Sequence, residues 1–488
     1  MEVAMRRWAL AVVLLLSLVA ACTGEAASTT TLNAAPTSST VEMTTTTARP
    51  VTTTTSTTTT TTVPLPDVPA TVILHGGPVI TMDPELGIVE AVAIDGDQIL
   101  AVGDAQSILT LADPDTVVID LEGKTVLPGL IDAHSHWISD DHLAGIYDAE
   151  VAAHTAAQWG VTTMYDMFVK PEDLAELVAL DEAGGLPVRV TVYFPVNYLT
   201  RYYGLWFTDY TPGEMLSPHV RVGGAKFFTD PTDPDTMYLS EPHSNQPGYY
   251  GDFAITPPEE IISLVVQLDD LGWQVAIHTG GDAGLDVVLD ALEAALDGGP
   301  NDLRHRVEHL PVVRDDQIER MLSLGVVASF QLTWFHSDWI GDPDWGSFEE
   351  NLGPERIAWA GRWRDLLDSG VTVIGGSDHP WTPPVSIGGF GEAVTRTGVG
   401  GLAPEPWMAA QTITIEEAIA LLTVDAAYGA FEENVKGTLT PGKLADLIVV
   451  SANPLQIPPE QLFDLEVLVT VVGGETVYCA QAGSSFCP

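Results

Sequence analysis

The feature that most restricts the fold is a rhythm that begins at Leu130, where short β-rich runs start to alternate with helical runs. Candidate strands are Ile131–Ala133, Val161–Tyr165, Val188–Phe194, Ala225–Phe228, Gln274–Ile277, Arg306–Glu308, Val326–Phe330 and Val371–Gly375. Helical runs lie between most of them, among them Pro171–Glu182, Pro258–Leu271, Gly284–Leu296, Asp315–Leu324 and Glu355–Leu367. Eight strands with intervening helices predict an α/β fold, a (β/α)8 TIM barrel of about 250 residues. A further helix is expected over Glu416–Phe431.

Shorter β runs separated by Gly and Asp turns precede the barrel, from Thr71–Leu74 to Lys124–Leu127. They return after it, at Leu447–Val450, Val467–Val472 and Thr476–Tyr478. β-rich sequence on both sides of a barrel predicts one small β-sandwich built from the N- and C-terminal segments. The expected division is 67–127 for the first part of the sandwich, 128–432 for the barrel and 433–488 for the second part with a tail.

The start of the chain reads as delivery rather than fold. Arg6 and Arg7 precede a short apolar run, Trp8–Leu18, and then Val19-Ala20-Ala21-Cys22. That order marks a secretory signal over 1–22, too short for a membrane span. It resembles a bacterial lipobox, which implies lipidation at Cys22 and residence in the cell envelope, on the outer face of the cytoplasmic membrane. Residues 23–66 are mostly Thr, Ser, Ala and Pro and cannot bury enough apolar surface to offset chain entropy, so a disordered tether is expected.

Acidic side chains number 67 against 19 basic ones, a formal charge of −48. Such a surface repels nucleic acid and anionic lipid, leaving a small-molecule substrate as the expected partner and the lipid as the only membrane contact. Two of the three cysteines, Cys479 and Cys487, lie close together near the C-terminus, where export permits a disulfide.

Chemistry-bearing residues recur at one place in the barrel pattern. His134 and His136 follow the first strand, two residues apart on one face. Lys226 lies in the fourth strand, His278 and His309 end the fifth and sixth, and Asp378 follows the eighth. The C-terminal ends of barrel strands converge on one mouth, where active sites sit. Imidazole and carboxylate donors suit Zn²⁺, with Mn²⁺, Fe²⁺ or Ni²⁺ as alternatives. Glu308 and Asp282 are candidate partners that orient ligand imidazoles.

The segments around these residues identify a resemblance. Pro128-Gly129-Leu130-Ile131-Asp132-Ala133-His134-Ser135-His136 resembles the opening motif of the amidohydrolase superfamily. Gly223-Gly224-Ala225-Lys226-Phe227-Phe228, Val275-Ala276-Ile277-His278, Arg304-His305-Arg306-Val307-Glu308-His309 and Gly375-Gly376-Ser377-Asp378-His379-Pro380 resemble its strand-four, -five, -six and -eight motifs. Gly437–Leu447 resembles the return strand of its sandwich. The pattern is most similar to the branch that contains N-substituted formamide deformylase. The resemblance implies one ion on His134, His136 and Asp378, a second on His278 and His309, and a carboxylated Lys226 between them. It also implies Asp378 as the proton carrier and an amide-type C–N bond as the target. A cyclic amide, an ester or lactone, and deamination are alternatives on the same metal core, and a solute-binding lipoprotein is the non-enzyme alternative. The interval from His136 to Val161 is short for this branch, so elements that cover the substrate are expected to differ.

Tyr165, Gln331, Trp334, His336, His379 and Trp381 follow strand ends and are candidate pocket-lining residues. His75, His142, His154, His219, His243 and His305 match no motif and read as structural or surface histidines.

Overall fold

The structure, a computed structural model, describes residues 65–139, 148–333, 347–382, 387–398, 403–481 and 487. Five strands precede the barrel: β1 (Val72–Ile80), β2 (Ile88–Asp95), β3 (Gln98–Gly103), β4 (Val117–Asp120) and β5 (Thr125–Pro128). The barrel strands are β6 (Leu130–Ser135), β7 (Val161–Asp166) and β8 (Arg189–Pro195), then, after a small hairpin of β9 (Asn197–Tyr198) and β10 (Arg201–Tyr202), β11 (Val220–Phe228), β12 (Val275–Thr279), β13 (Arg306–His309), β14 (Val327–Gln331) and β15 (Thr372–Gly376). Three strands return to the first sheet: β16 (Leu447–Val450), β17 (Val467–Val472) and β18 (Glu475–Cys479).

The eight barrel strands are parallel neighbours in chain order, as the strand–helix alternation predicts. Nearly every residue in them is buried, because helices cover the outside and side chains fill the inside. The seam between β15 and β6 is closed by turn and side-chain bonds. Asp378 N donates to His134 O at 2.7 Å, and Ser377 donates through N and Oγ to the buried Asp132 carboxylate at 2.7 and 2.6 Å. Gly376 is required here: a Cβ would sit 2.5 Å from His134 N.

The terminal strands differ in one respect from the expected sandwich. Hydrogen bonding joins all eight into a single sheet. β1 pairs with β4 through Val72–His75 and with β5 at Val79, on either side of a register break. Leu74, Val79 and Val126 from the first segment share one core with Leu447, Val449 and Leu468 from the second. Cys479 and Cys487 are joined as a disulfide at the end of β18. Cys22 lies outside the described residues.

Two expected helices are interrupted. The run expected over Glu355–Leu367 is divided into Phe348–Arg356, a 3-10 turn at Ile357–Trp359 and Trp363–Ser369. Inside that run Gly361 has a φ of 57°, and the chain turns there between the 3-10 turn and Trp363–Ser369. The run expected over Glu416–Phe431 breaks at Thr423 into Ile415–Leu421 and Val424–Gly429. The second piece closes the N-terminal end of the barrel, where Gln274 Nε2 donates to Gly429 O at 2.9 Å.

Candidate metal centre at the barrel mouth

The six motif residues His134, His136, Lys226, His278, His309 and Asp378 are all buried, none more than 8 % exposed. The two imidazoles of the opening motif face one carboxylate oxygen: Asp378 Oδ1 lies 3.4 Å from His134 Nε2 and 3.4 Å from His136 Nε2. Asp378 Oδ2 lies 3.9 Å from His309 Nδ1. The His309 ring centroid is 4.6 Å from that of His134 and 4.3 Å from that of His278. Lys226 Nζ comes within 3.4 Å of His134 Nε2. One ligand atom each from His134, His309 and Asp378 lies within 4.8 Å of the others.

Two of these residues adopt left-handed backbone. His309 has a φ of 76° and Asp378 a φ of 61°, which non-glycine residues seldom take. Both lie where a strand ends, and the turn swings the side chain back over the mouth. Such positions cost of order 1–3 kcal/mol and persist where surrounding structure fixes them. Asp132, which accepts Ser377 on one side and Trp137 Nε1 at 3.1 Å on the other, is the tie beside Asp378.

A polar layer supports the centre from inside the barrel. Glu308 Oε2 lies 2.6 Å from His134 Nδ1. Arg306 holds both oxygens of Glu308 through Nε at 2.6 Å and a terminal nitrogen at 2.9 Å, and also reaches Ala133 O and Ser329 Oγ. Burial alone pushes the Glu308 carboxyl up, but Arg306 and then Lys226 outweigh it, so its pKa falls below the usual carboxylate range. Glu308 is therefore an anion that fixes the His134 ring. The other carboxylate expected to orient an imidazole, Asp282, is engaged elsewhere: it accepts from Arg314 at 2.7 Å and from Ser240. Asp282 is the first residue of the helix Asp282–Leu296.

Burial, with the Lys226 charge next, holds the imidazoles of His134 and His278 well below their usual pKa. Burial and the neighbouring His278 and His134 do the same to His309. These rings are neutral, the form that binds a metal. Burial also pushes Lys226 down to about 8, against the pull of Glu308 and Asp378. Its ammonium has no carboxylate within ion-pair distance among the described residues. Asp230, the carboxylate four residues beyond Lys226, accepts from the backbone of Gly280, Gly281 and Tyr238 and from Thr229 Oγ1.

His278 tests whether this donor set fits a metal. Its Nε2 is buried without a hydrogen-bond partner among the described residues. Two buried histidines away from the mouth are fully engaged. His243 meets Asn351 Oδ1 at 2.7 Å and Met237 O at 3.0 Å, and His305 meets Val275 N at 3.1 Å and Asp269 Oδ1 at 3.0 Å. A buried polar atom left open costs about 1–3 kcal/mol. An open imidazole nitrogen within a group of neutral imidazoles and a carboxylate fits a divalent cation.

The other pocket candidates separate. Gln331 joins the centre, with Oε1 3.0 Å from His309 Nδ1. His379 is half-buried, its ring 3.9 Å from that of Trp137, and burial pushes its pKa down to about 4. Trp381 is 44 % exposed beside Asp378, to whose carbonyl its N–H donates. Tyr165 does not reach the mouth: its ring is fully buried and its hydroxyl donates to Ala426 O at 2.9 Å, in the helix that closes the opposite end. The ring packs inside the barrel in one cluster with Ala426 and Ala427 of that helix. Trp334 and His336 lie outside the described residues.

An aromatic flank escaped the sequence reading. Phe228 lies 4.6 Å from the His278 ring and Phe168 6.4 Å from the His136 ring, and Tyr198 joins them at 4.9 Å from Phe228. Phe228 was legible, since it lies two residues beyond Lys226 and on the same face of the strand.

Comparison with known proteins adds to this geometry. A profile of the amidohydrolase family matches residues 139–478. A Bacillus subtilis protein assigned to the amidohydrolases, YtcJ, is 27 % identical over 372 residues, 75 % of this chain and 66 % of its own length. N-substituted formamide deformylase of Arthrobacter pascens is 27 % identical over 330 residues, 65 % of this chain and 57 % of its own. The chain thus spans less than two thirds of the length of either relative. An uncharacterised metal-dependent hydrolase from Pyrococcus furiosus has the same fold, with a TM-score of 0.65, 22 % identity and coverage of 79 % of this chain and 100 % of that one.

Proposed function

Because the chain belongs to the amidohydrolase family, we propose that it is an exported, metal-dependent hydrolase that cleaves an amide-type C–N bond in a small molecule. One observation carries the reading: the buried imidazoles of His134, His136 and His309 converge on the Asp378 carboxylate at the barrel mouth, and His278, beside His309, has an open nitrogen. His134, His136 and Asp378 would hold one cation, and His278 and His309 a second. A bound divalent cation supplies an acidified water and polarises the substrate carbonyl. Asp378 takes the proton of the attacking water and returns it to the leaving nitrogen, a general base and then an acid. Glu308 keeps His134 oriented throughout, and Gln331 does the same for His309. The rings of Phe168, Tyr198 and Phe228 make one side of the site apolar, which favours a substrate with an apolar group beside the scissile bond.

A bare Lys226 ammonium among imidazoles would repel a cation. A deprotonated Lys226 amine that adds CO₂ through Nζ and releases one proton would become a carbamate anion, which would hold cations instead of repelling them. Its lowered pKa and lack of a carboxylate partner support this reading.

The test is metal analysis of the purified protein with turnover of an amide panel before and after chelation. The reading expects bound divalent metal, amide hydrolysis that stops on chelation, and recovery on adding Zn²⁺. Metal-free protein that binds solute without turnover would favour the capture role instead. Turnover of lactones or amino-heterocycles but no amides would favour the alternatives on the same core. Anchoring through Cys22 is part of the proposal. Cys22→Ser is expected to release the protein from the membrane fraction or block its processing, and unchanged fractionation would remove the anchor.

A further inference from the structure

Given the metal-dependent function proposed for this chain, on which the inference rests, we propose that Asp166 is a positioning residue of the centre. Through Ser139 it sets the His136 imidazole in the tautomer that leaves Nε2 for a cation. Asp166 ends β7, where it pairs with Ser135 of the opening motif in the parallel register. Its side chain is fully buried.

Two ligand rings have an orienting side chain at Nδ1: Glu308 at 2.6 Å for His134 and Gln331 at 3.0 Å for His309. Such partners fix the tautomer and the direction of a metal-binding imidazole. His136 turns Nε2 toward Asp378 Oδ1, 3.4 Å away, and Nδ1 toward Ser139 Oγ, also 3.4 Å away. A hydroxyl both donates and accepts, so alone it does not choose a tautomer. Asp166 supplies the choice. Its Oδ2 accepts from Ile138 N at 2.7 Å and from Ser139 N at 3.2 Å, and so holds the turn that carries Ser139. Burial pushes its carboxyl up, while His136 and then the Ser139 hydroxyl pull it down, so both side chains act on this carboxylate. Its Oδ1 is buried without a hydrogen-bond partner among the described residues, an open acceptor of the same group.

A carboxylate only accepts hydrogen bonds. The Ser139 O–H therefore donates to Asp166, the Ser139 oxygen accepts from His136 Nδ1–H, and Nε2 keeps the lone pair that a cation needs. The two backbone N–H groups make an asparagine variant informative. They only donate, so in Asp166→Asn they claim the amide oxygen and leave the NH₂ in the place of Oδ1. That NH₂ donates to Ser139 Oγ, the hydroxyl donates to His136 Nδ1, and the ring proton moves to Nε2, where it blocks the cation. The turn keeps both of its backbone bonds. A carboxamide in place of a carboxylate can trap an imidazole in the wrong tautomer with its geometry intact.

The test measures zinc retained by the full chain against a competing chelator, together with the urea unfolding midpoint of each variant. Asp166→Asn is expected to weaken zinc binding roughly 10- to 100-fold, the range for groups that orient ligands, with its midpoint close to wild type. Ser139→Ala removes the relay but keeps both backbone bonds to Asp166, and should cost only about two- to tenfold, the loss of one hydrogen bond. In the double variant the amide has no hydroxyl to turn, so affinity should return to that of Ser139→Ala. A purely structural Asp166 predicts the reverse, losses that add and a lowered midpoint. Zinc affinity of Asp166→Asn within a few-fold of wild type, or the same loss with and without the Ser139 hydroxyl, overturns the proposal. If Asp166→Asn does not fold, Ser139→Ala decides: weakened zinc at an unchanged midpoint supports the relay, and unchanged zinc overturns it. Wild-type protein that holds no divalent metal overturns the metal-dependent reading and this inference with it, whereas zinc held equally by wild type and Asp166→Asn overturns this inference alone.

Discussion

His305 precedes the short strand β13 and His309 ends it, and the chain uses the two in opposite ways. Both are buried. At the N-terminal end, His305 has each ring nitrogen committed, to Val275 and to Asp269. At the C-terminal end, His309 turns through left-handed backbone into a group of imidazoles and one carboxylate. The difference teaches that residue type and burial do not mark a functional histidine. What separates the two is which end of the strand the side chain occupies, and whether its neighbours are hydrogen-bond partners or further ligands.

The comparison breaks most sharply on removal of each ring. His309→Ala is expected to strip metal from the protein and end turnover, while His305→Gln keeps both within a few-fold; metal analysis and amide hydrolysis on the two variants side by side decide it. Equal losses would mean that the two ends are not distinct. Lys226→Ala is expected to lose metal and most activity, with partial recovery in acetate or formate, which can stand in for a carbamate. Asp378→Asn should retain the fold and lower kcat by roughly 10²–10⁴, the usual weight of acid–base catalysis. Activity within a few-fold of wild type at unchanged metal content would remove Asp378 from proton transfer.

Smaller effects sharpen the account. Gln331→Ala frees the ring of His309 without touching its nitrogen donors, so metal affinity should fall by about 10–100-fold, the range for groups that orient ligands. The smallest expected effect belongs to the structural end. His305→Gln loses the Asp269 contact and should lower unfolding free energy by about 0.5–1.5 kcal/mol, read from urea denaturation with turnover unchanged.

Most of the architecture was legible because barrel strands are buried on both faces and read as apolar runs. Each of the eight expected strands overlaps an observed one, and the residues of the opening, fourth, fifth, sixth and eighth motifs gather at one mouth. The failures have local causes. The helix expected over Glu355–Leu367 ignored Gly361, whose φ of 57° turns the chain between the 3-10 turn and Trp363–Ser369. Tyr165 was expected at the mouth because it follows a strand end, but its ring packs against Ala426 and Ala427 of the helix that closes the other end, a tertiary contact that strand position does not announce. Asp282 looked like a partner for an imidazole by sequence proximity to His278, yet Arg314, far along the chain, claims it. Phe168 and Tyr198 reach the mouth through tertiary contacts that no spacing announces.

The most direct measurement is diffraction from crystals of the protein as purified, recorded on both sides of the zinc absorption edge and, if needed, those of manganese, iron and nickel. The account predicts an anomalous peak about 2.0–2.1 Å from His278 Nε2, the usual metal–imidazole distance. It also predicts density beyond Lys226 Nζ and none beside His305. Active protein with no anomalous scatterer at the mouth, and with His278 Nε2 engaged by a protein group instead, would contradict it.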